Sequence, residues 1–493
     1  MSNSRATSLR SCSLARITAL LVVFSAVSIG AHGNAPTLEL AEAVQSSLEA
    51  NFSLRVAAMD PEIAASGVEE ASSVFDTELF ASGNLEESSQ QTTFSATQGT
   101  SRDNRSWTIG ARRRFSTGAQ VTARGNYSRD ASNAGVNTSN LSQTADASLS
   151  LRQPLLQGRG SEVNRAGIAR ARAGVEAAGQ SFREAVLAVL ARTEETYWET
   201  ARRQAGLELK QSSLRVAETL LEEARERRNV GRATRIEVLQ AEAARAERRE
   251  EIITARQRLE EAADQLLLSM GRLLPDMAPL EELPFEVRTL PGEIRDLRPF
   301  PDLWRDVLAA DPSLARQEAI LEQRRLDRTV ARNELRPELD LVATGGYLGL
   351  DDEDAQTAFD NLTEGQGYAW SVGFEFSMPW GRRGEKAALR SADKELEQES
   401  LRLLELKQQL FRELRSAWRS YNARTESREA AALTVSLQEA TFTQEQEKYA
   451  EGLSVFRDVL EAQQDLDLAR ERLLDTRFQQ IRTRIRIDEL TGR

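Results

Sequence analysis

Gly231-Arg232-Ala233-Thr234-Arg235-Ile236-Glu237-Val238-Leu239 and Gly452-Leu453-Ser454-Val455-Phe456-Arg457-Asp458-Val459-Leu460 decide the fold, because they read as one turn written twice. Residues 231–272 match 452–493 at a constant offset. Val238-Leu239 falls on Val459-Leu460, Ala241 on Ala462, and Gly271-Arg272 on Gly492-Arg493. Glycine is the usual residue where a helix stops in a left-handed conformation. Each turn, Asn229-Val230-Gly231 and Ala450-Glu451-Gly452, interrupts a long proline-free stretch rich in Ala, Leu, Glu, Arg and Gln. Twelve prolines are present, none of them in 155–274 or 380–493, and six lie between Pro275 and Pro301. Proline inside a helix costs about 3 kcal/mol. The spacing therefore predicts two long helical hairpins joined by a proline-rich linker.

The first hairpin is lopsided. Its ascending arm, Gly158 to Val230, would run about 110 Å, and its descending arm, Arg232 to Met270, about 58 Å. The uncovered half of the long arm needs another partner, and the helical segments around 37–75 and 302–335 are the candidates. The duplication extends upstream. Asn51-Phe52-Ser53-Leu54 resembles Asp311-Pro312-Ser313-Leu314, Glu78-Leu79 resembles Glu338-Leu339, and Gln153-Pro154-Leu155 resembles Met378-Pro379-Trp380. Each half thus reads helix, strands, proline, long helical hairpin.

Between these blocks the hydrophobic period changes to two. Trp370, Val372, Phe374, Phe376 and Met378 alternate with Ser371, Gly373, Glu375 and Ser377, and Ala147, Leu149 and Leu151 alternate with Ser148, Ser150 and Arg152. Leu339, Leu341, Ala343 and Leu79, Ala81, Leu85 repeat the pattern more weakly. The period fits a membrane barrel strand and also a half-buried strand of a soluble sandwich. Tyr368, Trp370 and Trp380 stand where an interfacial aromatic girdle would lie. Two strands per half give four per chain. Four cannot close a barrel, and an open edge in lipid leaves backbone groups unsatisfied. Membrane strands would require oligomerisation, and three copies of four give twelve.

The N-terminus reads as a secretory signal over 1–33. Arg5, Arg10 and Arg16 precede an apolar stretch, Ile17 to Ile29, too short for an ordinary membrane-spanning helix, and Ala31-His32-Gly33 offers small residues for cleavage. An uncleaved anchor is the alternative. Cleavage would remove the only Cys, Cys12, and the only His, His32. The mature chain would then have no disulfide, thiol or imidazole chemistry and no ordinary zinc site. The net charge of −12 speaks against a duplex nucleic-acid binder. No cofactor or catalytic motif is recognisable, so the chain reads as not an enzyme.

Tandem halves of strands and a long hairpin, with the motifs running from Val230 to Leu239 and from Glu451 to Leu460, resemble the outer-membrane efflux proteins, the TolC-like outer-membrane factors. The resemblance covers nearly all of the mature chain. It implies a mainly α, tandem-repeat protomer of a homotrimer, with an α-helical barrel crossing the periplasm and a twelve-stranded β-barrel in outer-membrane lipid. It implies a passive duct of a tripartite efflux or type I secretion system, working with a periplasmic adaptor and an inner-membrane transporter. By the same resemblance Asp458 and Glu461 become the acidic constriction, three apart on one helix face. Glu237 and Tyr449 match an acid–tyrosine lock. Val230, Gly231, Arg232, Glu451, Gly452 and Leu453 become adaptor-docking tips. The arginine expected in the lock is Ser454 here. Arg457 lies nearby, about 100° off around the helix.

Two further departures stand out. Arg105 to Phe115 and Ala119 to Arg129 read as an extra hairpin around Ser116-Thr117-Gly118. Arg112-Arg113-Arg114 puts charge on both of its faces, which argues for an extracellular extension, since arginine at mid-bilayer costs about 2–4 kcal/mol. Pro61 falls where the family runs a helix and predicts a fresh start capped by Asp60. The organisation is then a first repeat over 34–272 (strands about 76–152, hairpin 158–270), a linker over 273–301 and a second repeat over 302–493 (strands about 338–378, hairpin 384–491). The rival reading is a non-pore coiled-coil protein of the cell envelope, which explains the helices but not the alternating strands.

Overall fold

The computed structural model describes residues 37–89, 101–133, 141–273, 285–291 and 296–493. The leader read over 1–33 and parts of the linker lie outside them. In chain order come β1 (Thr37–Leu38), α1 (Leu40–Ala50), α2 (Phe52–Ala57), α3 (Met59–Ser72), β2 (Thr77–Ser89), β3 (Ser101–Arg114), β4 (Gln120–Ser132), β5 (Leu141–Pro154), α4 (Ser161–Asn164), α5 (Ala166–Asn229) and α6 (Arg235–Ser269). The second half brings β6 (Glu286–Val287), α7 (Phe300–Ala310), α8 (Pro312–Glu334), β7 (Glu338–Asp351), α9 (Ala355–Glu364), β8 (Gly367–Ser377), α10 (Arg383–Glu451) and α11 (Phe456–Leu490).

The long arms α5 and α10 have 64 and 69 residues, and α6 and α11 have 35 each. Helix α5 begins at Ala166, later than Gly158, because Gly158 and Gly160 take φ of 73° and 98° and turn the chain before it can coil. The duplication is visible in the backbone. Gly231 and Gly452 sit at φ 75° and 79°, and Gly271 and Gly492 at 69° and 72°. Asn51 and Asp311 each cap a helix, accepting from the Leu54 and Leu314 backbone amides at 3.2 and 3.1 Å. The end of α1 closes on Gly271, whose Asn51 neighbour donates to the Ser269 carbonyl at 2.8 Å; the end of α7 closes on Gly492 in the same way. Helix α8 lies between the two long arms, tied to α5 by Arg170–Asp327 at 2.8 Å and to α10 by Arg328–Asp393 at 2.7 Å.

Two cores lie beside the long helices, the first of them joining first-repeat residues to α11 of the second repeat. The first packs Leu38, Tyr197, Leu266, Met270, Val287 and Ile485. The Tyr197 hydroxyl is buried. It donates to the Leu38 carbonyl at 2.8 Å and accepts from the Arg288 amide at 3.1 Å, holding β1 and β6 together as a parallel pair. The second core packs Leu303, Val307, Leu414, Tyr421 and Ile487. Pro61 corrects the sequence reading. The break falls at Ala58, so that α3 starts at Met59 without a side-chain cap and Pro61 sits in its first turn, where no intrahelical donor is lost.

The strands form one antiparallel sheet in the order β2-β3-β4-β5-β7-β8. This corrects two expectations. Among the described residues six strands pair in this sheet, where the alternating pattern predicts four, so the sum of twelve loses its premise. The hairpin over 105–129 is no extension beyond the first two strands. It is β3 and β4, paired in unbroken register from Thr77↔Arg113 to Ser89↔Ser101 on one side and from Gln120↔Arg152 to Ala131↔Leu141 on the other. Its turn lies at the helical end of the sheet, where the Gly160 amide donates to the Thr117 carbonyl at 3.1 Å. The arginine run is compatible with this because it sits at that same end. Arg112 faces Glu78 at 3.7 Å, and Arg113 lies over the Phe115 ring at 5.6 Å.

The register sorts side chains onto two faces. Leu79, Ile109, Ala123, Leu149, Leu341 and Phe374, one from each strand, share the apolar face, and Phe374 is 69% exposed. The other face is a polar ladder. Thr108 and Asn126 are 3.0 Å apart, Asn126 donates to Asp146 at 3.0 Å, and Arg152 bridges Asp340 at 3.1 Å and Glu375. At the end far from the helices α9 lies on the apolar face. Phe359 stacks on Tyr127 at 5.6 Å, and Gly349 leaves room for the Ala358 carbonyl.

Candidate functional site

The two hairpin turns come together at one end of the helices. Leu220, Leu221 and Ala224 of α5, Val238 and Ala241 of α6, Tyr449 of α10, and Phe456 and Val459 of α11 form a single buried cluster. Val238 and Val459, the repeat-related valines, meet in it. The turns themselves stay outside. Val230 is 70% and Leu453 75% exposed, and Gly231, Arg232, Glu451 and Gly452 are exposed beside them. Ile236, Leu239 and Val455 add to this apolar rim, which the sequence reading did not include.

Helix α6 starts in a capping box. Thr234 accepts from the Glu237 amide at 3.3 Å, and Glu237 Oε1 accepts from the Thr234 amide at 3.4 Å. Such a box stabilises a helix start by about 1 kcal/mol. The other carboxylate oxygen of Glu237 remains for Tyr449, whose hydroxyl donates to it at 3.4 Å. The acid and the tyrosine of the lock are therefore neighbours across the two hairpins.

Ser454 takes no part in this contact: its hydroxyl donates to Glu445 Oε2 at 2.8 Å. Nor does Arg457, which turns to its neighbour Asp458 at 3.5 Å on the exposed side of α11. The guanidinium that holds Tyr449 belongs to Arg227, in the last turn of α5. Its Nη1 donates to the Tyr449 carbonyl at 2.7 Å, and its Cζ lies 4.1 Å from the ring centroid. Sequence reasoning missed it because it searched for the arginine within the second repeat. The available signal was Arg227-Arg228 in a helix's last turn, where a cation also complements the helix dipole. Burial, and then the Glu237 carboxylate, raise the Tyr449 phenol above its ordinary value, while Arg227 pulls it down. Tyr449 thus remains a neutral hydroxyl donor across the physiological range.

Asp458 and Glu461 lie one helical turn apart on α11, Asp458 partly covered and Glu461 exposed. Asp458 is in the first turn, where a carboxylate also complements the helix dipole. Further from the tips, charges tie three helices together. Lys210 of α5 reaches Glu251 of α6 at 3.4 Å and also contacts Glu471 of α11, and Arg248 of α6 lies 3.5 Å from Asp467 of α11. Asp467 is buried, and its Oδ2 accepts no hydrogen bond. Burial raises its pKa against the lowering pull of its partners, Arg248 among them.

The geometry is that of a channel wall: long paired helices at one end of the chain and an amphipathic sheet at the other. A family model described as outer membrane efflux protein matches residues 118–272 and 303–493, and the chain belongs to that family. Among solved structures it is similar to the outer-membrane channel OprN, with 18% identity over 92% of this chain and 89% of that one and a TM-score of 0.69. It is similar to VceC of Vibrio cholerae at 17% identity, 92% and 96% coverage and a TM-score of 0.67. The open state of MtrE of Neisseria gonorrhoeae follows at 17%, 92%, 88% and 0.64. No curated protein matches by sequence. The chain is an efflux channel of the outer membrane, a family of conduits and not of enzymes.

Proposed function

We propose that three copies of this chain form a passive duct, with the sheets closing a barrel in outer-membrane lipid and the helices lining a periplasmic tunnel. The hairpin tips dock a periplasmic adaptor, which links the duct to an inner-membrane transporter of an efflux or type I secretion system. The carrying observation is the joint tip: two repeat-related turns packed on one core, with Val230 and Leu453 left to water. Exposed apolar side chains around a rigid core suit a protein partner.

In this reading Asp458 and Glu461 form rings of negative charge at the constriction. Arg227, Tyr449 and Glu237 hold the second hairpin against the first in the closed state. Rings of like charge repel one another unless a cation screens them, which favours cation passage. Detergent-resistant, heat-modifiable trimers in the outer-membrane fraction that conduct in planar bilayers support the duct. Protein that stays soluble without detergent and conducts nothing overturns it.

A further inference from the structure

We infer that the exit barrel has eighteen strands: three six-stranded sheets joined edge to edge, β8 of one copy against β2 of the next. The inference rests on the trimer proposed above.

The extra hairpin satisfies every requirement of barrel wall. Its strands β3 and β4 are as long as their neighbours, with 14 and 13 residues against 13 in β2 and 14 in β5. Strands of this length, tilted by about 40°, span the apolar band of an outer membrane of about 25 Å. Trp107 and Ile109 of β3 and Ala123 of β4 continue the apolar face without a gap. Thr108 and Asn126 continue the polar ladder to Asp146 on the opposite face. The turn between them is fixed at the helical end, where a Cβ on Gly118 would strike the Gly158 carbonyl. Removing the hairpin from the wall would require β5 to leave β4 and β2 to leave β3, breaking ladders of twelve and thirteen residue pairs.

The sheet's edges then determine the partner. Among the described residues, strands β2 and β8 end the order and have no neighbour on their outer sides. Unpaired backbone amides and carbonyls in hydrocarbon have no water to bond, so both edges need a strand. A second copy supplies it. Six is an even number, so β2, running away from the helices, meets a β8 running toward them. The contact is antiparallel, like every other contact in the sheet, and one rotation repeated three times closes the ring. Barrel diameter grows roughly in proportion to strand number. Eighteen strands give an exit about one and a half times as wide as twelve would. The outer-membrane end of this duct therefore does not set the size of its cargo; that limit falls on the tips.

The test uses the full chain, purified as trimers in lipid nanodiscs, and counts strands by cryo-electron microscopy. Eighteen support the inference. A trimer with twelve wall strands and β3–β4 displaced from the bilayer overturns it while leaving the trimeric duct intact, and a particle that is not a trimer overturns the duct reading itself. A second measurement needs no map. A fluorophore on Ile109→Cys or Ala123→Cys should be quenched by nitroxide-labelled lipid to the same extent as one on Val372→Cys of β8. Quenching at Val372→Cys alone, with both hairpin sites unquenched, overturns the eighteen-stranded wall.

Discussion

The guanidinium of Arg227, at the end of the first ascending helix, covers the ring of Tyr449 at 4.1 Å and bonds its backbone carbonyl at 2.7 Å. Two halves of a duplicated chain are thereby tied at their tips, alongside the hydrogen bond from Tyr449 to Glu237. The predicted outcome of Arg227→Ala is a leaky channel. A cation over a partly buried ring contributes about 0.5–2 kcal/mol, and the carbonyl bond adds about 1.5–3 kcal/mol. Loss of either part raises the open fraction several-fold to more than tenfold. Tyr449→Phe keeps the ring and loses only the hydroxyl bond to Glu237, so its effect is smaller. Single-channel recordings of both variants, with trimer yield as control, check the order.

The acidic pair makes a separate prediction. Asp458→Ala with Glu461→Ala removes both charges from the constriction. Cation selectivity falls and block by multivalent cations weakens, as reversal potentials across a salt gradient would report. Unchanged selectivity places the constriction on other residues.

Docking and gating separate by residue. Val230→Asp together with Leu453→Asp alters only exposed side chains, so trimers assemble at the same yield and conduct as before. Export in cells fails, because the adaptor's contact is lost. Drug susceptibility of a strain complemented with this variant, read against trimer abundance by immunoblot, is the measurement.

Asp467 predicts a pH dependence. Burial raises its folded pKa above the ordinary 3.8, so the folded state holds this proton more tightly than the unfolded chain. Its contribution to stability is present in full below 3.8 and is lost as pH rises through the folded value. At neutral pH the ionised carboxylate works against folding despite Arg248. Asp467→Asn, which keeps the shape and discards the buried charge, raises the urea midpoint at pH 7 and removes the fall in stability that sets in as pH rises above the ordinary carboxylate range. A lower midpoint at pH 7 would assign the ion pair with Arg248 the larger share.

The helices and their turns were legible because few residue types perform these tasks. Gly231 and Gly452 occupy left-handed positions that other residues enter at a cost of about 1–2 kcal/mol. The absence of proline over two long windows leaves little besides helix. The strand count was misread for a physical reason. Arg112, Arg113 and Arg114 look prohibitive in lipid when only their neighbours in sequence are known. They become harmless once the register puts them at the helical end, beside Glu78 and Phe115. Arg227 was illegible for a related reason: its partner Tyr449 is 222 residues away, and nothing local marks it as different from Arg228.

The paired glycines closing the repeats rank two substitutions. Gly271 and Gly492 share a φ near 70°, at 69° and 72°, so alanine at either meets the same backbone strain of about 1–2 kcal/mol. Their surroundings differ. A Cβ at Gly271 would overlap the Ala50 carbonyl and lie 2.9 Å from the Asn51 amide nitrogen, both rigid backbone at the start of a capped helix. At Gly492 the nearest atom is the Ala310 Cβ at 3.1 Å, on the last turn of α7, which can yield by a few tenths of an ångström. Gly271→Ala therefore costs more than Gly492→Ala, although the two positions are copies of each other. Gly271→Ala also frees Asn51 from the Ser269 carbonyl, and with it the cap of α2. Heat-modifiable trimer yield, followed by the temperature at which each variant dissociates, should fall in the order wild type, Gly492→Ala, Gly271→Ala. Equal losses would mean that left-handed strain alone, and not the closing of α1 onto the hairpin, fixes this corner of the fold.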